Sequence, residues 1–142
     1  MIYAVIDTNV VVSAALSRLR SDANTAKVLE YTFSGRVTPV YNEEIIDEYT
    51  EVLSRPKFGF DRKLVELLVD HIRRVGISSD RLNSDEDFPD KDDIVFYEVT
   101  LSQLSRDEHT YLVTGNIRHF PAQSFVVTPK EFVEIVENKG IV

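Results

Sequence analysis

The sequence predicts an α/β fold built on a parallel sheet with helices on both faces. Two observations lead there. Short apolar, β-branched runs alternate with longer amphipathic segments along the whole chain. The first run, Ile2–Ile6, is apolar at nearly every position rather than at every second one, as a strand buried on both faces would be.

The elements follow in order. Ile2–Ile6 reads as the first strand, Asn9–Leu16 as a short helix and Asn24–Ser34 as a second, with Gly35 as its stop signal. Val37–Tyr41 is the second strand, with Pro39 marking its end or an irregularity. Asn42–Ser54 carries the clearest helical pattern. Asn42 is a good N-cap, Glu43 and Glu44 suit the positive end of the dipole, and Ile45, Ile46, Tyr49, Val52 and Leu53 form one stripe. Arg55-Pro56 closes it. Asp61–Val75 is a further amphipathic helix, with Leu64, Leu67, Leu68 and Ile72 in register, and a short third strand is expected near Ile77. Ser84–Asp93 is polar and acidic, a loop. Ile94–Leu104 is a helix, Tyr111–Thr114 and Phe125–Thr128 are the fourth and fifth strands, and Pro129 opens a last helix through Val136.

A length of 142 residues suits one domain, 1–142, around one core. No apolar run is long enough to span a bilayer, and the N-terminus has no signal-peptide pattern. The absence of cysteine excludes disulfides, thiolate metal sites and a cysteine nucleophile, and agrees with a cytoplasmic location. The net charge of −8 argues against nucleic-acid binding through a broad basic surface. It leaves room for a site in which acids converge and hold a divalent cation.

In parallel sheets ligands gather beyond the carboxyl ends of strands. Asp7 ends the first strand, so it is either a helix N-cap or a carboxylate aimed into that crevice, and Asn9 is placed to brace it. Five acids lie on the helix 42–54. At about 100° per residue, Glu48 falls nearest the edge of the buried stripe, and Asp47 and Glu51 lie well outside it. Asp90, Asp92 and Asp93 crowd together before a helix. Like charges this close need solvent or a cation, and Asp93 is the one set to project from the first helical turn. Thr114-Gly115-Asn116 forms a small-residue turn after the fourth strand, and His119 beyond it reads as a structural or surface residue. Asp7, Glu48, Asp93 and Asn116 thus come from four elements. Hard oxygen donors suit Mg²⁺ or Mn²⁺, which serve phosphodiester hydrolysis by activating water and neutralising charge.

The stretches "VIDTNVVVSAAL", "NEEIIDEYTEVLSRPKF", "FPDKDDIVFYEVTL", "YLVTGNIRHFP" and "VVTPKEFVEI" carry a resemblance to the PIN-domain nucleases, and within them to toxin components of bacterial and archaeal toxin–antitoxin systems. The resemblance implies a three-layer α/β/α, Rossmann-like fold with a five-stranded, mostly parallel sheet. It implies a Mg²⁺- or Mn²⁺-dependent endoribonuclease with an RNA substrate, a cognate antitoxin and a homodimeric state. The family's first, helical and third acids fall on Asp7, Glu48 and Asp93, the expected catalytic and metal-holding residues. Thr8 and Asn9 are expected to support Asp7, and Thr114 to steady the reacting water. The family's fourth position, commonly Asp, is Asn116 here, which brings no charge and favours one firmly held metal, with Asn116 as an outer-shell or weak ligand and Asp90 or Asp92 compensating.

Two rivals remain. Phosphatases of the haloacid dehalogenase type also place an Asp after the first strand, but they want Asp-x-Asp, and Asn9 occupies that third position. A catalytically weakened PIN-like module that binds RNA or joins a complex is the reading that Asn116 favours.

Overall fold

The computed structural model describes residues 1–20 and 22–140. Strands β1 (Ile2–Ile6), β2 (Val37–Tyr41), β3 (Ile77–Ser78), β4 (Thr110–Val113) and β5 (Val126–Val127) alternate with helices. The helices are α1 (Thr8–Leu16), α2 (Asn24–Phe33), α3 (Glu43–Leu53), α4 (Arg62–Val75), α5 (Ile94–Leu104) and α6 (Pro129–Gly140). The five strands form one all-parallel sheet in the order β3-β2-β1-β4-β5. This is the α/β architecture expected from the sequence.

β1 is the axis of the sheet. Tyr3 pairs with Thr38 of β2 on one side and with Thr110 of β4 on the other. Ala4, Val5 and Ile6 are consecutive and all buried, which is possible only if helices cover both faces of the strand. The chain builds outward from β1 to β2 and β3, then crosses back to lay β4 on the opposite side. The order therefore reverses at β1, and the carboxyl ends of β1 and β4 flank the switch point where such sheets open a crevice.

The helices sit where the apolar stripes demand. Asn42 caps α3 by accepting from the Ile45 N–H at 2.9 Å, and Asp61 caps α4 by accepting from the Lys63 N–H. On α3, Ile45, Ile46, Tyr49 and Leu53 are buried while Glu43, Glu44, Asp47 and Glu51 are exposed. The Tyr49 hydroxyl donates to the Ile6 carbonyl, so α3 is tied to the end of the central strand from inside the core. The acidic stretch before α5 is anchored at its start and its middle. Buried Glu98 of α5 accepts from Arg81 at 2.7–2.8 Å and from the Ser84 N–H at 2.7 Å. Phe88 packs edge-on against Tyr97 and Phe120.

The differences from expectation are local. Three short 3-10 turns, Pro56–Phe58, Lys91–Asp93 and Ile117–His119, occupy segments read as connections. α6 continues past Val136 to Gly140, and β5 is two residues rather than four, because only Val126 and Val127 find partners in β4.

Gly76, between α4 and β3, is a steric requirement. A Cβ there would lie 2.5 Å from the Pro39 carbonyl oxygen and 2.7 Å from that of Ile72, both backbone atoms that cannot rotate away. Gly76→Ala is therefore expected to lower stability by about 1–3 kcal/mol in urea denaturation, through displacement of the β2–β3 edge. An unchanged midpoint and slope would show that the edge yields freely.

Candidate active-site crevice

Asp7 is the first residue after β1, with its backbone N–H bonded to the Val113 carbonyl of β4. Its carbonyl accepts the Val10 N–H, so the backbone of Asp7 opens α1, but its side chain makes no capping bond. The carboxylate is aimed elsewhere. Its Oδ2 accepts from the Thr114 hydroxyl at 2.7 Å and from the Asn9 amide at 3.1 Å. Asn9 in turn accepts the Gly115 N–H through Oδ1 at 3.2 Å. One asparagine thus spans the ends of β1 and β4 and presents its donor to Asp7.

Glu48 reaches the same place from α3. It is half-buried, the only one of that helix's five acids that is not exposed, and it accepts from the Thr8 hydroxyl. Asp93 arrives from the third side, at the junction of the 3-10 turn Lys91–Asp93 with α5, and its Oδ2 lies 3.2 Å from His119 Nδ1. Asp7, Glu48 and Asp93 line one open crevice of about 340 Å³, with Thr8, Asn9, Asp90 and Asp92 also on its walls. Asp90 caps the turn by accepting from the Asp92 N–H at 2.9 Å.

The carboxyls of the crevice are raised first by burial and then by one another. Burial raises the Asp7 carboxyl from an ordinary 3.8 to about 6, the nearby Asp93 charge adds to the rise, and the bond from Thr114 opposes it. Burial also raises Glu48; the Thr8 bond opposes this, and Asp7, Asp92 and Asp90 add to it. Burial, Asp90 and Glu48 raise Asp93, while His119 pulls it down. The three carboxyls form a closed cycle in which each is penalised by another.

Of the residues singled out from the sequence, Asp7, Thr8, Asn9, Glu48, Asp90 and Asp93 meet at the crevice, and Thr114 joins through its bond to Asp7. Asn116 does not line it. Its side chain is exposed, and its backbone N–H donates to the Thr114 hydroxyl at 3.0 Å. Thr114 is thereby oriented toward Asp7, where steadying a water was expected. His119 is the residue that sequence reasoning passed over. Its partner is 26 positions away, and only the loop geometry after β4 could have revealed it.

Among the described residues no three His, Cys, Asp or Glu side chains are already gathered about one point, because each carboxyl is turned to its own partner. The donor chemistry still fits a hard divalent cation: oxygens only, from three elements, with mutual repulsion that a cation would relieve.

The Asp7 shift carries a consequence for the metal-free protein. Between pH 4 and 6 the folded chain holds a proton on Asp7 that the unfolded chain has released, so stability falls as pH rises through that window. The full penalty, at most about 3 kcal/mol, applies above it. Asp7→Asn should therefore stabilise the protein by about 1–3 kcal/mol at pH 7.5 in EDTA, and make no difference below pH 4. Urea denaturation across pH reads this directly; a variant less stable than wild type at pH 7.5 would contradict it.

Neither the comparison with curated proteins nor that with solved structures gives a match. A family profile described as PIN domain matches residues 3–118, from β1 to the turn that carries His119. PIN domains are generally nucleases and typically use divalent metals. With that match across most of its length, on an all-parallel five-stranded sheet, the chain belongs to the PIN domain family.

Proposed function

We propose that this chain is a Mg²⁺- or Mn²⁺-dependent endoribonuclease, one domain over 1–142, acting as the toxin of a toxin–antitoxin pair. The observation that supports the nuclease reading is that Asp7, Glu48 and Asp93, from three separate elements, line one crevice at the switch point of the sheet. Such a cluster is costly to maintain unless a cation enters it. Asp7 and Asp93 would hold the ion, with Glu48 beside them. When bound, it would supply positive charge at the phosphodiester and ease deprotonation of water.

The chain's own residues do the positioning. Thr114 and Asn9 fix one oxygen of Asp7 by two donors, so its orientation does not depend on the ion. Thr8 donates a single bond to Glu48, and His119 Nδ1 lies 3.2 Å from Asp93 Oδ2. Glu48, whose proton affinity is raised by burial and by neighbouring acids, is suited to take a proton from the attacking water. Asp90 holds the turn that carries Asp93 and adds negative potential at the crevice wall.

The RNA substrate, cognate antitoxin, homodimer and cytoplasmic setting belong to the same reading and rest on the resemblance to the toxin branch. No helix among the described residues is long and apolar enough to cross a membrane.

One observation favours a second reading. Asn116 is neutral and stands outside the crevice lining, so the fourth corner adds no charge. A PIN domain weakened in this way could bind RNA or a protein partner without cutting.

Cleavage of a mixed RNA pool separates the two. Wild type with Mn²⁺ should cut, and EDTA should abolish cutting. Asp7→Asn and Asp93→Asn should each lower the rate by at least about a hundredfold, and Mn²⁺ affinity should fall with them. Cutting that survives EDTA, or equal Mn²⁺ affinity in wild type and Asp7→Asn, would refute the metal assignment. RNA binding with no cleavage under any divalent cation would establish the second reading.

A further inference from the structure

Beyond the carboxylates, the segment from Arg55 to Phe60 brings one aromatic ring, Phe58, to the wall of the acidic crevice, with Lys57 and Phe60 next to it. Pro56 opens its 3-10 turn and Gly59 ends it at φ +66°. A Cβ at Gly59 would meet nothing within 4 Å, so it is the left-handed backbone alone that selects glycine. This reversal stacks the Phe58 and Phe60 rings, with centroids 5.9 Å apart and planes 21° from parallel. Both rings are partly exposed and backed by the core, and Phe58 lines the crevice together with Asp7, Glu48 and Asp93.

Each ring carries a cation. Lys57 Nζ lies 5.1 Å from the Phe58 centroid, and Arg18, two residues past the end of α1, places Cζ 5.9 Å from that of Phe60. Among the described residues neither Lys57 nor Arg18 has a carboxylate within 4 Å, whereas Arg55, Arg62, Arg73 and Arg81 each do. In a chain of net charge −8, Lys57 over the ring that lines the crevice lies where a phosphate chain must approach, and Arg18, which also donates to the Ala15 carbonyl at 2.6 Å, sits one ring further out.

A polyanion nearing three carboxylates, with Asp90 and Asp92 on the same walls, meets repulsion at the point of reaction and needs its grip alongside. Aromatic rings give that grip through base stacking, which tolerates any sequence because every base has a π-face, and nearby cations follow the phosphates. We propose that Phe58 and Phe60, flanked by Lys57 and Arg18, form a stacking platform for unpaired bases of single-stranded RNA beside the crevice. The proposal rests on the ribonuclease reading above. Cation–π contacts at exposed sites are weak, so Lys57 leaves its ring for a phosphate as a base takes its place, while Arg18 stays anchored to the Ala15 carbonyl. Duplex RNA keeps its bases stacked on one another and cannot use the platform.

The test is binding of labelled RNA to the whole chain with Ca²⁺ in place of Mg²⁺, followed by fluorescence anisotropy, with a gel to check that the RNA is intact. Phe58→Leu keeps an apolar group against the core but removes the π-face. It should weaken binding of a single-stranded oligonucleotide about tenfold and abolish quenching of a 2-aminopurine base, while Phe58→Trp should keep both. Lys57→Ala should lower the slope of log affinity against log salt by about 0.7. Thermal melting of each variant checks that it folds. Equal affinity of Phe58→Leu and wild type, or equal binding of single strand and blunt duplex, would overturn the platform. If wild type still cuts RNA with Mn²⁺, the ribonuclease reading survives that result; a wild type that neither binds nor cuts RNA removes both.

Discussion

The structure depends on one constraint: the Asp7 carboxylate must be held, largely out of water, at the end of the most buried strand. Desolvation there is the largest influence on its proton affinity, and the surrounding framework limits that cost. Thr114 and Asn9 donate to it from two chain segments, and Asn9 binds the Gly115 backbone to keep those segments in register. The Tyr49–Ile6 bond fixes α3 against the same strand end, which in turn sets where Glu48 can reach. The geometry of the crevice is thus mostly a consequence of β1 and what is bonded to Ile6 and to Asp7 just beyond it.

Much of this was legible from local sequence. Ile2–Ile6 needed no partner to be read as a central strand, because consecutive apolar residues have few other uses. Glu48 was separable from its four acidic neighbours by angle alone, since a helix converts sequence spacing into direction, and the exposure pattern of α3 follows that angle. The two meanings open for Asp7 also divided cleanly. Its backbone starts the helix and its side chain does not cap it.

What could not be read depended on contacts between distant segments. His119 finds Asp93 across 26 positions, and nothing local to "NIRHF" encodes that approach. Asn116 was expected at a corner of the site because a family pattern aligns it there. The turn after β4 leaves its side chain outside the crevice, and the neighbouring Thr114 faces inward instead. The paired rings of Phe58 and Phe60 required the positive φ of Gly59, which the sequence suggests only as a generic turn.

The sheet is uneven in a way that bears on how the protein coexists with copies of itself. Its central strand has five residues, but both border strands, β3 and β5, have two. An unpaired strand margin is a template for another chain, and its danger grows with the number of free amide and carbonyl groups in a row. Here each margin offers too short a row to register a foreign strand. The fold can therefore place a long, fully apolar strand at its heart, where a carboxylate must be gripped rigidly, without exposing a comparable strand to aggregation at its rim.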